Sequence, residues 1–498
     1  MTFADALRAA TQNPGRPNLE ELARAALAEQ REDQALALLV PAAATMEDAR
    51  LWQWTGLLHR ALDEHGNALE AFCHAASLAP GDAGIAHGHA RVALEAGIDS
   101  VALFERALTI ATNPGGVLLG LGAARFSAGQ GARALDQLAQ LLDGNPGWIE
   151  GHRQFAQLAS LTGEFERLTE SIDRALARAP SAALLETKLG LLIGAEHYVG
   201  VLVAVRDEGH LMPPSSRILY EALGHSELSD IKAAEPLFQA IADDDATGRV
   251  WRVRHLLRSN RAAQAVGLID RWLASDEAAS AWPYASIAWR LTGDSRWFWL
   301  EGDPRLIETI DLGDRLPPLT DMLRSLHRGA GRFADQSVRA GSQTDGPLLS
   351  RVEPEIVALR KLLADAVGGY IKRLPPLDPR HPLLSRRRDR EPRFAGSWSV
   401  RLGAAGHHAN HVHPQGWISS ALYIALPEEV ERGAGPDAGW LSLGEPQANL
   451  GLDLPPIRLV EPLPGRLVLF PSTMWHGTRT FDRGERLTVA FDVAPPLP

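Results

Sequence analysis

The chain has one cysteine, Cys73, in 498 residues, so no intrachain disulfide framework holds it together. It also lacks an excess of positive charge. Lys and Arg number 50 against 61 Asp and Glu, a formal net charge of -11, which argues against a broad electrostatic grip on nucleic acid or an anionic membrane. No apolar run approaches the roughly 20 residues of a membrane span. The opening MTFADALRAATQNPG has neither the basic flank nor the apolar centre of an export signal. These absences predict a cytoplasmic protein that engages neither nucleic acid nor membrane. What remains is ordinary globular material, 45% hydrophobic and 22% charged, and long enough for two or three domains with sizeable cores.

The first half has a period. Pro80, Pro114, Pro146 and Pro180 recur at gaps of 34, 32 and 34 residues, each closing an Ala/Leu-rich helical pair. Trp52, Gly56, Ala68, Phe72, Ala75 and Pro80 make the best copy. Gly122, Gly129, Ala134 and Pro146 mark the third, and Gly163, Ala175 and Pro180 the fourth. This resembles a tetratricopeptide array. Beyond about Pro180 the helical texture continues while the marker residues thin out, so residues 1–290 are expected to form an α-solenoid with degenerate final repeats. Such arrays stack into a continuous core and commonly leave a groove for a peptide or protein segment; a purely structural or dimerising arm is the other reading.

Residues 291–395 read as a connecting segment and as helical support for the C-terminal domain. Val352 to Leu374 has helical periodicity suited to a helix outside a barrel, and Ser385 to Arg393 reads as a solvated loop. Residues 396–498 change texture. Trp398–Leu402, Trp417–Leu426, Gly439–Leu443, Arg466–Phe470 and Arg486–Val493 are short β-prone runs separated by turns, a jelly-roll pattern.

Within that region lie His411 and His413, answered by His476 and then Arg486. Side chains at i and i+2 leave the same face of a strand and can grip one metal ion. His476 follows the apolar run Leu467 to Pro471 and supplies a third imidazole from a different strand. Three protein ligands leave the remaining octahedral positions of Fe(II) open, though zinc suits the same residues. His407 and His408 have no spacing that singles them out and read as structural or supporting.

The stretches SWSVRL (Ser397 to Leu402), NHVHPQGWISSALYIALP (Asn410 to Pro427), GRLVLFPSTMWHGT (Gly465 to Thr478) and ERLTVAFDV (Glu485 to Val493) resemble the 2-oxoglutarate and Fe(II)-dependent oxygenases, in a branch with an H-x-H-P motif. The resemblance implies a double-stranded β-helix, Fe(II) on His411, His413 and His476, and 2-oxoglutarate as co-substrate. His413 departs from the family's usual carboxylate at the second ligand position. Arg486 is expected to hold the distal carboxylate of 2-oxoglutarate, because a guanidinium does so bidentately and stays charged. Thr488, at i+2, adds a hydroxyl. Trp417, Ser419 and Tyr423 alternate along one strand, with Ser419 and Tyr423 expected at the co-substrate and Trp417 at the substrate. Gln336, Arg339, Gln343 and Thr344 are expected to meet substrate, although turn chemistry accounts for them nearly as well.

The function these readings imply is hydroxylation of a substrate, a peptide or protein presented by the repeats. Two alternatives stand beside it: a three-histidine dioxygenase or hydrolase that uses no 2-oxoglutarate, with Arg486 turned away from the metal, and a non-catalytic adaptor built on the repeats.

Overall fold

The computed structural model of the chain describes residues 1–241, 248–328, 337–427 and 435–497. It packs as two compact units. One comprises residues 1–138, 345–364 and 496–498; the other comprises 139–344 and 365–495.

The first unit is helical and antiparallel. Ala49–Ala61 pairs with His65–Leu78, and Ala83–Glu95 with Val101–Ile110. Gly56 explains the close crossing in the best sequence repeat. A Cβ there would lie 2.6 Å from Cδ2 of the fully buried Phe72, so only glycine lets the ring through.

In the second unit the helix pairs continue: Ala182–Gly194 with Tyr198–Glu208, Pro214–Glu227 with Ile231–Gln239, and Arg249–Arg258 with Ala262–Leu273, after which comes Trp282–Thr292. The period therefore outlasts its sequence markers. Gln30, Asp63, Gly97, Gly129, Gly163, Glu196, Ser229, Asn260 and Gly293 all have positive φ, at spacings of 31–34 residues, and each ends a helix of the array. The left-handed turn favours glycine but also admits short polar residues. Where Glu, Ser or Asn occupies it, the repeat loses its visible marker and keeps its geometry.

Nine strands complete the fold among the described residues: β1 Glu308–Asp311, β2 Val338–Gln343, β3 Phe394–His408, β4 Ile418–Ala425, β5 Leu441–Leu443, β6 Arg458–Val460, β7 Arg466–Pro471, β8 His476–Thr478 and β9 Arg486–Val493. One antiparallel sheet has the order β1-β7-β4-β9-β3-β2, the other β6-β5-β8. This is the double-stranded β-helix, or jelly-roll, arrangement. Tyr423, Val468 and Phe470 of the larger sheet share a core with Leu441, Leu443 and Val460 of the smaller. Helix Pro354–Arg373 falls within the stretch read as helical, and its Tyr370 hydroxyl donates to the Leu306 carbonyl at 2.7 Å.

The segment holding His411 and His413 differs from the expected strand. β3 ends at His408 and β4 begins at Ile418, and between them only His411 forms a bridge, to His476. Pro414 and a turn come at once after His413, so the ladder cannot continue. Among the described residues no helix is long and apolar enough to cross a membrane.

Candidate metal centre

The bridge is what brings the histidines together. The His411 N–H donates to the His476 carbonyl at 2.9 Å and the His476 N–H returns to His411 at 3.0 Å, while the His413 N–H reaches the Ser472 carbonyl at 2.9 Å. Two distant segments are thereby held side by side by backbone bonds. Ligand atoms of His411, His413 and His476 all lie within 4.8 Å of one another.

Each ring has its proton position fixed. Nδ1 of His411 lies 2.9 Å from the Ala409 carbonyl, and Nδ1 of His476 lies 3.0 Å from the Met474 carbonyl. A carbonyl oxygen only accepts, so both Nδ1 atoms carry hydrogen and both Nε2 atoms keep a lone pair. Nδ1 of His413 meets the Asp492 carboxylate, which likewise accepts its hydrogen. Asp492 is itself anchored, accepting from the Ser419 hydroxyl at 2.6 Å; Ser419 in turn lies 3.0 Å from the Ser472 hydroxyl. Such outer partners orient imidazoles for a metal. The other near neighbour of a free nitrogen is the Ser337 hydroxyl, 3.4 Å from Nε2 of His411.

Burial keeps His411 and His476 neutral. It pushes His411 down to about 3, with the adjacent His413 adding to the effect, and drives His476 well below the ordinary 6.5, helped by His411 and His413. Neutral imidazoles are the form that binds metal.

A cavity opens beside the histidines, lined by both sheets. From β9 it takes Arg486, Thr488, Ala490 and Asp492, the alternate residues of one strand face. Arg486 is only 2% exposed, yet among the described residues it has no carboxylate partner, and its Nε has no hydrogen-bond partner. Burial pushes its pKa below the usual guanidinium range. Its guanidinium carbon stands 5.0 Å from the Tyr423 ring centroid, a cation–π contact that supports the charge without neutralising it. A buried, unpaired guanidinium is costly unless an anion completes it.

The remaining residues singled out from sequence fall in different places. Ser419 and Gln343 line the cavity, and Tyr423 lies beneath Arg486. Ser419 spends its hydroxyl on Asp492, so its contact is with the support of His413. The Thr344 hydroxyl accepts from the Ser399 N–H at 3.0 Å. Trp417 is buried with its indole N–H on the Leu383 carbonyl at 2.9 Å, and Arg339 is paired with Glu196 at 3.0 Å; neither is among the cavity-lining residues. Gln336 lies outside the described residues. Sequence reading passed over Asp492, although it shares the period-2 face of Arg486 and Thr488. It also set aside His408, which lines the cavity with a buried Nε2 that has no hydrogen-bond partner among the described residues.

Residues 396–492 match the family model described as "Putative 2OG-Fe(II) oxygenase". A PKHD-type hydroxylase from Crocosphaera subtropica (strain ATCC 51142 / BH68) is 26% identical over 188 residues, covering 37% of this chain and 74% of that protein. Among solved structures, a Pseudomonas putida prolyl-4-hydroxylase is 18% identical over 38% of this chain and 92% of its own, with a TM-score of 0.25. A tetratricopeptide repeat protein from Parabacteroides merdae ATCC 43184 is 14% identical over 47% of this chain and 95% of its own, with a TM-score of 0.30. The C-terminal region thus resembles the 2-oxoglutarate/Fe(II) oxygenases, and a region of paired helices precedes it.

Proposed function

We propose that the chain is an Fe(II)- and 2-oxoglutarate-dependent oxygenase that hydroxylates a peptide or protein substrate in a reducing cytoplasm. In this reading residues 1–290 present the substrate, 291–395 connect and brace, and 396–498 form the catalytic core. The observation that carries it is the meeting, in one cavity, of three imidazoles whose Nδ1 atoms are taken up by carbonyl or carboxylate oxygens and a buried guanidinium that has no carboxylate partner among the described residues. The hydroxylase match over 188 residues supports the same chemistry.

His411, His413 and His476 would hold the metal through Nε2, with Asp492 and the carbonyls of Ala409 and Met474 holding the rings in place. Arg486 and Thr488 would hold the distal carboxylate of the co-substrate, the arginine supported from below by Tyr423. When bound, iron and 2-oxoglutarate supply the oxidising power: oxidative decarboxylation to succinate and carbon dioxide uses one oxygen atom of dioxygen and leaves the other for a substrate C–H bond. The protein's part is position and exclusion of water, for which Phe470, edge-on to His476 at 4.9 Å, and Leu441 supply apolar wall. Gln343 is the cavity residue best placed among the predicted substrate contacts. A three-histidine hydrolase would have no use for a buried arginine that lacks a carboxylate partner among the described residues in the same cavity.

The test is succinate formation from 2-oxoglutarate in air with Fe(II) and ascorbate, for the native chain and for His476→Ala. Substrate-free turnover of this kind is slow, but it should stand above the metal-free control in the native protein and vanish in the variant. Tight metal binding with no succinate at all would sink the co-substrate assignment.

A further inference from the structure

Each ligand segment sends a residue away from the cavity and into the helices. Val412, between His411 and His413, packs against a core built from Val253, Leu257, Trp272, Ile287 and Trp289 of the last repeats. Trp475, immediately before His476, is a member of that core and is 2% exposed. Its indole N–H donates to the Pro283 carbonyl at 3.0 Å, and its ring meets Tyr284 edge-on at 5.8 Å. Both partners lie in the first turn of helix Trp282–Thr292.

The same helix holds the strand on the other side. Arg290 donates to the carbonyls of Gly444 and Pro455, and the Gly444 N–H returns to the Trp475 carbonyl at 2.6 Å. Trp475 is thus fixed at both side chain and main chain by one helix and the loop that helix grips. Its neighbours are Met474, whose carbonyl orients the His476 ring, and His476 itself.

We infer that helix Trp282–Thr292 is a positioning element of the metal centre, acting through Trp475 and Val412. The inference rests on the metal role proposed above for the three histidines. Interiors are close-packed, so a side chain wedged against a rigid helix transmits its position to the adjacent backbone. A metal site tolerates only about 0.5 Å of ligand displacement before affinity suffers. The last repeat is thereby part of the site, and Trp475 is its contact residue.

Full-length protein titrated with Co(II) alone, read by its visible d–d bands, tests this. Trp475→Phe keeps an aromatic ring and removes the N–H; its Kd should rise about 10-fold, as for other outer-layer partners of metal ligands. The band shape should change while circular dichroism stays native. Tyr284→Phe keeps the edge contact and should match the native chain, whereas Tyr284→Leu should behave like Trp475→Phe. If Trp475→Phe does not accumulate folded, Val412→Ala carries the same comparison. A folded Trp475→Phe or Val412→Ala with native affinity and bands overturns the inference. A native chain that binds Co(II) no better than His476→Ala overturns the metal role itself, and the inference with it.

Discussion

Asp492 orients the second ligand of the cluster, because among the described residues it is the carboxylate partner of His413 and it is itself tethered by Ser419. Asp492→Asn keeps the shape but replaces a charged acceptor, so metal affinity should fall about 10–100-fold. Equilibrium competition with a chromophoric chelator measures it, and an unchanged affinity would mean that the His413 ring is held by its packing alone. Acid titration reports on the same residues. His411 and His476 are held below 6.5 in the folded protein, so below that pH the unfolded chain takes up protons that the folded chain refuses. Stability of the metal-free protein should therefore be full above about 6.5 and decline as pH drops toward about 3. Denaturant midpoints at stepped pH track it, and loss of the acid slope in His476→Leu would attribute part of it to that ring. Sequence could nominate these histidines because their spacing is unusual. It could not show that each Nδ1 is spent on a backbone or carboxylate acceptor, because Ala409 and Met474 contribute carbonyls that any residue would offer.

Elements were legible where their side chains showed a period. The strand period gathered Arg486, Thr488 and also Asp492 on one face of β9, and five of the nine strands lay within or across runs that read as β. The strands β1, β6 and β8 are three or four residues long and show no pattern of their own, and β2, with the polar sequence VRAGSQ, lacks the apolar alternation of a strand. In the helices, the markers thin out beyond Pro180, where three of the four left-handed turns are Glu, Ser or Asn instead of glycine. Ser229 sits there at φ 65° with an ordinary side chain. Ser229→Gly should remove that strain and stabilise the protein by about 0.5–1 kcal/mol, net of the glycine's greater chain entropy. Thermal unfolding of the full chain is the measurement; destabilisation would show that the Ser229 side chain contributes more than its backbone costs.

At the scale of the molecule, the second compact unit contains both the later helix pairs and the two sheets. A change in texture near residue 396 is legible in sequence, whereas the shared core across it is not: Trp475 and Trp289 read as two unrelated apolar residues until packing joins them. The central claim is that the cavity takes iron and 2-oxoglutarate together. It is met most directly by anaerobic Fe(II) titration with 2-oxoglutarate, watching for the weak visible metal-to-ligand charge-transfer band in the native chain and in Arg486→Ala. The expected result is a band in the native chain that requires roughly 10–100-fold more co-substrate in the variant, the worth of one charge-assisted carboxylate contact. Tight iron binding with no band, or a band indifferent to Arg486, would contradict it.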